Sequence, residues 1–112
     1  METKPIIHVV ATQCRPEDEE KFNTWYDEIH IPMLLKFKRL KKATRYKIIY
    51  EREEYPKYLA IYEFESREAF EAYETSPELA AATKEEHEET WKDSKYEMVW
   101  RVQYEPMKTW ER

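Results

Sequence analysis

The chain of 112 residues carries 24 acidic and 19 basic side chains, for a formal net charge of −5. One domain of this length buries a single core, and its acidic balance excludes a surface built to hold nucleic acid phosphates or anionic membranes. The sequence has no glycine and one cysteine, which excludes glycine-rich loops for ATP, GTP or NAD phosphates and an intramolecular disulfide.

The N-terminal residues 1–5 carry no apolar stretch of the kind that directs secretion, and the apolar runs elsewhere are too short to cross a bilayer. The lone cysteine also fits a reducing compartment. We therefore expect a cytoplasmic protein without a membrane or nucleic acid partner. No break in composition and no repeat divides the chain, so residues 1–112 are expected to form one domain.

The first strand and first helix are predicted from the start of the chain. Residues 6–12 are β-branched and apolar on both alternating faces, which indicates a central strand. Pro16 and the four acidic residues after it predict a helix that runs to about Ile31, where Pro32 is expected to kink or tighten the chain. Apolar side chains at helical spacing form the predicted buried stripe, namely Phe22, Trp25, Tyr26, Ile29 and Met33.

The rest of the chain predicts three more strands and a helix in two pieces. Residues 43–51, 58–65 and 96–104 are rich in strand formers and alternate between two faces. Ser66 and Ser76 are good N-caps for the two helical pieces that follow them. The order βαββαβ predicts a ferredoxin-like α+β sandwich, in which helices cover one face of an antiparallel sheet.

The second face of such a sheet has no cover within one chain. The apolar side chains expected there are Ile7 and Val9 or His8 and Val10, together with Ile49, Leu59, Ile61 and Val99. A homodimer that closes sheet on sheet is expected to bury them.

These elements carry a family resemblance. The stretch F-x-x-W-Y-D-E-x-H-I-P-x-L-L, followed by S-x-E-A-F-x-A-Y and S-P-E, resembles the dimeric α+β barrel superfamily, nearest its EthD-like branch. The resemblance implies that fold, a homodimer, and a pocket between sheet and helices. It also implies activities that range from cofactor-independent oxygenation, decarboxylation, cyclisation and isomerisation to haem chemistry in some branches.

Trp25, His30 and Pro32 match the helix-end element of that superfamily, which places His30 near the pocket mouth. One departure concerns the following turn. Many relatives have a proline-glycine-aromatic turn there, whereas this chain has Phe37, Lys38, Arg39 and Leu40, a basic loop without glycine.

His30 is the candidate catalytic residue, because imidazole titrates near neutral pH and lies at the edge of the helical stripe. A histidine at the edge of the core, bonded to a backbone carbonyl, is the alternative interpretation. The candidate substrate-binding residues are His8, Trp25, Tyr26, Glu63 and Arg101. His8 points either to the helices or to the open face, and His87, among four glutamates, is expected to be solvated.

Glu63, Arg101 and Gln103 lie on strands that flank the first strand, and they leave two interpretations open. They orient a polar ligand headgroup, or they form an ion-pair network across the dimer. Asp27, Glu28 and His30 are neighbours in sequence but lie on different helix faces, so no metal site is expected. Cys14 has no identifiable base.

We therefore expect a small-molecule-binding homodimer without a cofactor. The leading hypothesis is an acid/base enzyme of oxygenase, decarboxylase, cyclase or isomerase type, acting through His30 on a small aromatic or polyketide-like compound. The alternative is a non-catalytic ligand-binding or stress-associated module that uses the same pocket. Whether the protein is an enzyme stays open at this point.

Overall fold

The structure is a computed structural model that describes residues 4–112, so residues 1–3 of the N-terminal segment considered above lie outside the described residues. Four strands, β1 (Ile6–Gln13), β2 (Leu40–Lys47), β3 (Tyr58–Phe64) and β4 (Glu97–Tyr104), form one antiparallel sheet in the order β2-β3-β1-β4. The helices are α1 (Glu19–Trp25), α2 (Ile31–Leu34), α3 (Arg67–Glu74) and α4 (Pro77–Glu85). The predicted ferredoxin-like α+β fold is confirmed. Within residues 4–112, no helix combines the length and the apolar character needed to cross a bilayer.

Two wide helical turns interrupt the helical layer. The first π turn (Tyr26–His30) joins α1 to α2, and the second π turn (Glu86–Thr90) extends α4. In each, a backbone N–H donates to the carbonyl five residues earlier, from Ile31 to Tyr26 and from Trp91 to Glu86. Such turns are rare and often occur at functional sites.

The first π turn changes which residues face the core. A wider turn holds an extra residue, so the positions after it rotate back by about 100°. Leu34 therefore lies on the same face as Tyr26 and is 1% exposed, whereas Ile29 is 39% exposed. The predicted stripe was wrong for Ile29 because it assumed regular α-helical spacing. The helical segment also extends beyond its predicted end at about Ile31, since it continues through Pro32 to Leu34.

The ends of two strands differ from the prediction. β2 ends at Lys47, so Ile49 lies in the connection to β3 and not on the second face of the sheet. In β4 the pairing with β1 shifts between Ala11 and Thr12, which pair with Trp100 and Met98. Val99 lies at this irregularity.

The register assigns the two faces of the sheet. His8 pairs with Tyr62, and its ring lies 4.9 Å from Phe70 of α3, so this set of residues faces the helices. The alternate positions form the open face, which carries Ile7, Val9, Leu59, Ile61, Trp100, Val102 and Tyr104. Of the two sets considered for β1, Ile7 and Val9 are therefore the ones on the open face.

Both predicted helix caps are present. The Ser66 hydroxyl accepts a hydrogen bond from the Ala69 N–H at 3.0 Å, and the Ser76 hydroxyl accepts one from the Leu79 N–H at 3.1 Å. No described residue has a positive φ. The helices consequently end without the left-handed residue that glycine usually supplies, as at Thr75, where φ is −113°.

Candidate functional site

Trp25 connects the two helical segments that contain the π turns. Its indole N–H donates to the Glu85 carboxylate over 2.8 Å, and the residue is 2% exposed. The Thr90 hydroxyl donates to the other Glu85 oxygen. A carboxylate at the end of α4 thus ties the second π turn to the helix that precedes the first one.

His30 is the last residue of the first π turn and stacks on Trp25. The ring centroids are 4.4 Å apart with an interplanar angle of 24°, and the Tyr26 ring meets His30 edge-on at 5.2 Å. The His30 Nδ1 atom is buried and has no hydrogen-bond partner among the described residues. Burial lowers the pKa of His30 to about 4, against the opposing charge of Glu85, so the imidazole is neutral at pH 7.

A second group of side chains adjoins Trp25 on its other side. The Trp91 ring stands perpendicular to Trp25, with centroids 5.7 Å apart, and its buried Nε1 also has no hydrogen-bond partner within residues 4–112. A cleft of about 660 Å³ opens beside it, with Glu86, Tyr96 and Met98 in its lining. Sequence reasoning missed this cleft, although a tryptophan that ends the acidic run at residues 85–89 indicates a buried position.

Glu86 is a carboxyl group with an unusual environment in this cleft. Burial raises the pKa of Glu86, and the Tyr96 hydroxyl acts in the opposite direction.

His8 lies across the core from His30. The Gln103 amide nitrogen lies 3.0 Å from His8 Nδ1, a contact in which the amide donates. Burial and, to a lesser degree, the positive charge of Arg101 lower the pKa of His8 to about 4. His8 contacts the rings of Tyr62, Phe70 and Tyr73, whereas His30 contacts those of Trp25 and Tyr26. The two histidines therefore lie in different parts of the aromatic layer.

Arg101 lies at the outer edge of this layer, where it forms a 2.9 Å ion pair with Glu74 of α3. Gln103 and Arg101 pair with His8 and Val10, so both face the helices. Glu63 pairs with Ile7 and lies on the open face instead. Its grouping with Arg101 and Gln103 was wrong, because the side-chain alternation of a strand fixes the face only once the register is known.

The remaining candidates are solvated or paired. Asp27 accepts a 2.8 Å hydrogen bond from Arg45, and His87 is exposed, 3.7 Å from Glu86. Burial raises the pKa of the Cys14 thiol, which disfavours the thiolate. Within residues 4–112, no three His, Cys, Asp or Glu side chains are grouped closely enough to hold a metal ion.

The sheet order and the helices on one of its faces define a ferredoxin-like α+β fold, which the sequence predicted. Residues 5–104 match the family described as "Domain of unknown function (DUF4286)", and the chain belongs to this family. A comparison with curated protein sequences finds no match.

Several solved structures share the fold. An ethyl tert-butyl ether D (EthD) family protein from Bacillus halodurans has a TM-score of 0.67 and 18% identity over 91% of this chain and 99% of that chain. SnoaB, a cofactor-independent oxygenase from Streptomyces nogalater, has a TM-score of 0.61 and 13% identity over 95% and 96% of the two chains. A dimeric protein of unknown function from Bacteroides fragilis has a TM-score of 0.61 and 20% identity over 90% and 95%. At these identities the likeness shows the fold alone.

Proposed function

We propose that the protein is a homodimer that binds a small aromatic or polyketide-like molecule beside His30. The observation that carries this proposal is the buried His30 Nδ1, which has no hydrogen-bond partner among the described residues although the ring stacks on Trp25. A buried polar atom without a partner costs about 1–3 kcal/mol. A ligand hydroxyl or N–H that donates to this nitrogen would recover that free energy.

The surroundings of His30 suit a planar ligand. Trp25 and Tyr26 contact the His30 ring and are almost completely buried, whereas Trp91 lines the cleft, where its ring favours offset and edge-on contacts with another ring. The cleft beside Trp91 has about 660 Å³, within the 300–1,000 Å³ range of small-molecule sites. It offers an approach to the aromatic layer next to the second π turn.

The open face of the sheet supports the homodimer. Trp100 and Tyr104 of this face are 43% and 57% exposed in the single chain, and two such faces bury each other in a twofold dimer. We expect an interface of more than about 1,200 Å² in total, apolar at its centre. Static light scattering at micromolar concentration should give twice the chain mass, and a monomer under these conditions would contradict the homodimer.

Acid/base catalysis through His30 is the second candidate. The neutral imidazole is the form that accepts a proton, and SnoaB, described as a cofactor-independent oxygenase, has the same fold. However, a pKa of about 4 makes a weak base at pH 7, since general bases work best when their pKa lies near the working pH. Catalysis therefore requires a ligand that raises the pKa of His30, which an anionic compound would do.

The substitution His30→Phe tests the ligand site. Phenylalanine keeps a ring beside Trp25 but removes both ring nitrogens, so the ligand loses its hydrogen bond and keeps its stacking surface. With 1-naphthol as an aromatic hydroxyl probe, we expect the dissociation constant to rise roughly 5- to 30-fold, as the loss of one hydrogen bond of about 1–2 kcal/mol implies. Quenching of tryptophan fluorescence measures it.

The control is Tyr55→Phe, which changes an exposed residue in the connection between β2 and β3, outside the lining of the cleft, and should leave the affinity unchanged. Equal affinities of wild type and His30→Phe would contradict the site.

Native mass spectrometry of the protein as purified adds an independent measurement, because a co-purifying molecule should be present in wild type and depleted in His30→Phe. Its conversion to a second compound would favour the enzyme.

A further inference from the structure

We propose that residues 105–112, here called the C-terminal arm, pack against the hairpin connection, residues 48–57, of a second copy of this chain. The contact is made twice in a twofold dimer, once in each direction. This inference rests on the homodimer proposed above and adds to it a surface outside the sheet.

The exposure of apolar side chains points to these two segments. The four most exposed large apolar residues are Met107 at 94%, Ile49 at 84%, Tyr50 at 79% and Trp110 at 77%. Single apolar residues on a surface are ordinary, but these four fall in only two segments, and neither segment is helix or strand. Within one chain both segments leave these side chains uncovered.

The two segments lie at opposite ends of the sheet. The hairpin connection follows Lys47, which pairs with Tyr58 beside the end of β1, whereas the arm follows Tyr104, which pairs with Ile7 at the start of β1. Ile7 and Thr12 are five residues apart, so the two ends are separated by about 17 Å along β1. Met107 is three residues beyond Tyr104 and extends at most about 11 Å, so it falls short of its own hairpin. Trp110 is six residues beyond Tyr104 and stays 77% exposed, so it does not pack on that hairpin either.

A twofold axis removes this separation. Suppose that two sheets pack face to face about a twofold axis that lies between them and is perpendicular to the strands. The sheet end that carries the C-terminal arm of one copy then lies over the sheet end that carries the hairpin connection of the other. Tyr104 and Tyr46 are half-exposed on the open face next to the arm and the hairpin, so the apolar surface continues from the sheet into both segments. Aromatic residues bury about 150–250 Å² each. The two symmetric Trp110–Tyr50 contacts therefore supply a substantial part of a stable interface.

Sedimentation equilibrium of the full chain tests the contact. Trp110→Ala and Tyr50→Ala should each raise the dimer dissociation constant at least tenfold, because each removes the same contact twice. Leu35→Ala is the control, since Leu35 is 42% exposed but lies in the helical layer away from the open face. It should leave the dissociation constant unchanged. The far-ultraviolet circular dichroism of all three variants should match wild type.

Mixing the two variants shows whether the contact joins different copies. A homodimer of either variant has no intact contact, whereas a heterodimer of Trp110→Ala with Tyr50→Ala keeps one. The equimolar mixture should therefore dimerise more tightly than either variant alone.

The outcomes separate this inference from the homodimer. A dimeric wild type whose dissociation constant is unchanged by Trp110→Ala overturns the arm contact and leaves the homodimer standing. Weakened variants without a gain on mixing overturn the pairing of arm with hairpin. A monomeric wild type at micromolar concentration overturns the homodimer and the arm contact together.

Discussion

Replacing Trp25 with alanine is expected to lower the free energy of unfolding by about 3–5 kcal/mol, measured from urea denaturation midpoints. Trp25 is almost completely buried and contacts the rings of Tyr26, His30, Trp91 and Tyr96. Truncation of the side chain would leave a large cavity between the two helical segments that contain the π turns. It would also remove the donor that holds the Glu85 carboxylate, whose other oxygen accepts from Thr90.

Ile29→Ala on the same helical segment provides the comparison. Ile29 is partly exposed because of the first π turn, so its truncation should change stability by less than about 1 kcal/mol. A similarly small loss for Trp25→Ala would mean that Trp25 faces solvent or ligand and does not support the core.

Acidification from pH 7.5 to 5 is expected to destabilise the protein strongly. The pKa values of His8 and His30 lie at about 4 in the folded protein, below the ordinary value of 6.5. Below pH 6.5 the unfolded chain therefore binds protons that the folded chain does not, and unfolding is favoured as the pH falls. Each histidine should contribute a loss on the order of 2 kcal/mol by pH 5. Urea midpoints at fixed protein concentration measure it.

Single substitutions show which histidine causes this loss of stability at low pH. His30→Phe should remove about half of the loss between pH 7.5 and 5, and His87→Phe should leave it intact because His87 is exposed. The carboxylates of Glu19 and Glu65, whose pKa values are lowered by their cationic partners, contribute mainly below this window. Stability that stays flat between pH 7.5 and 5 would show that neither histidine is held neutral by burial.

The sequence was sufficient for the fold because its signals are local. Strand alternation, the two serine caps and the order of elements all follow from neighbouring residues, and the structure agrees with them. For the first π turn, Pro32 indicated only that the helix is disturbed and not that the turn before it is wider. Its hydrogen bond runs from Ile31 to Tyr26, five residues earlier, and α-helical spacing therefore misplaced Ile29.

The candidate site was predicted less completely, because it combines residues distant in sequence. The motif around His30 identified Trp25 and Tyr26, which do contact its ring. Glu85 is the carboxylate beside His30, and no pattern in the sequence singled it out. Sixty residues separate Trp25 from Glu85. The periodicity of a single helix or strand cannot indicate a contact between residues so far apart in sequence.

The absence of glycine, together with a negative φ at every described position, limits the conformational freedom of the unfolded chain. A typical chain of this length has about eight glycines, and replacing one at a compatible position stabilises a protein by about 0.4–1 kcal/mol by narrowing the unfolded ensemble. This chain has none, and no described position requires one. Relative to a typical composition, its unfolded state is disfavoured by roughly 3–8 kcal/mol. That amount is comparable to the whole stability of an ordinary domain. The restricted conformational freedom of the unfolded chain therefore offsets the free-energy cost of the unpaired polar atoms in this small core.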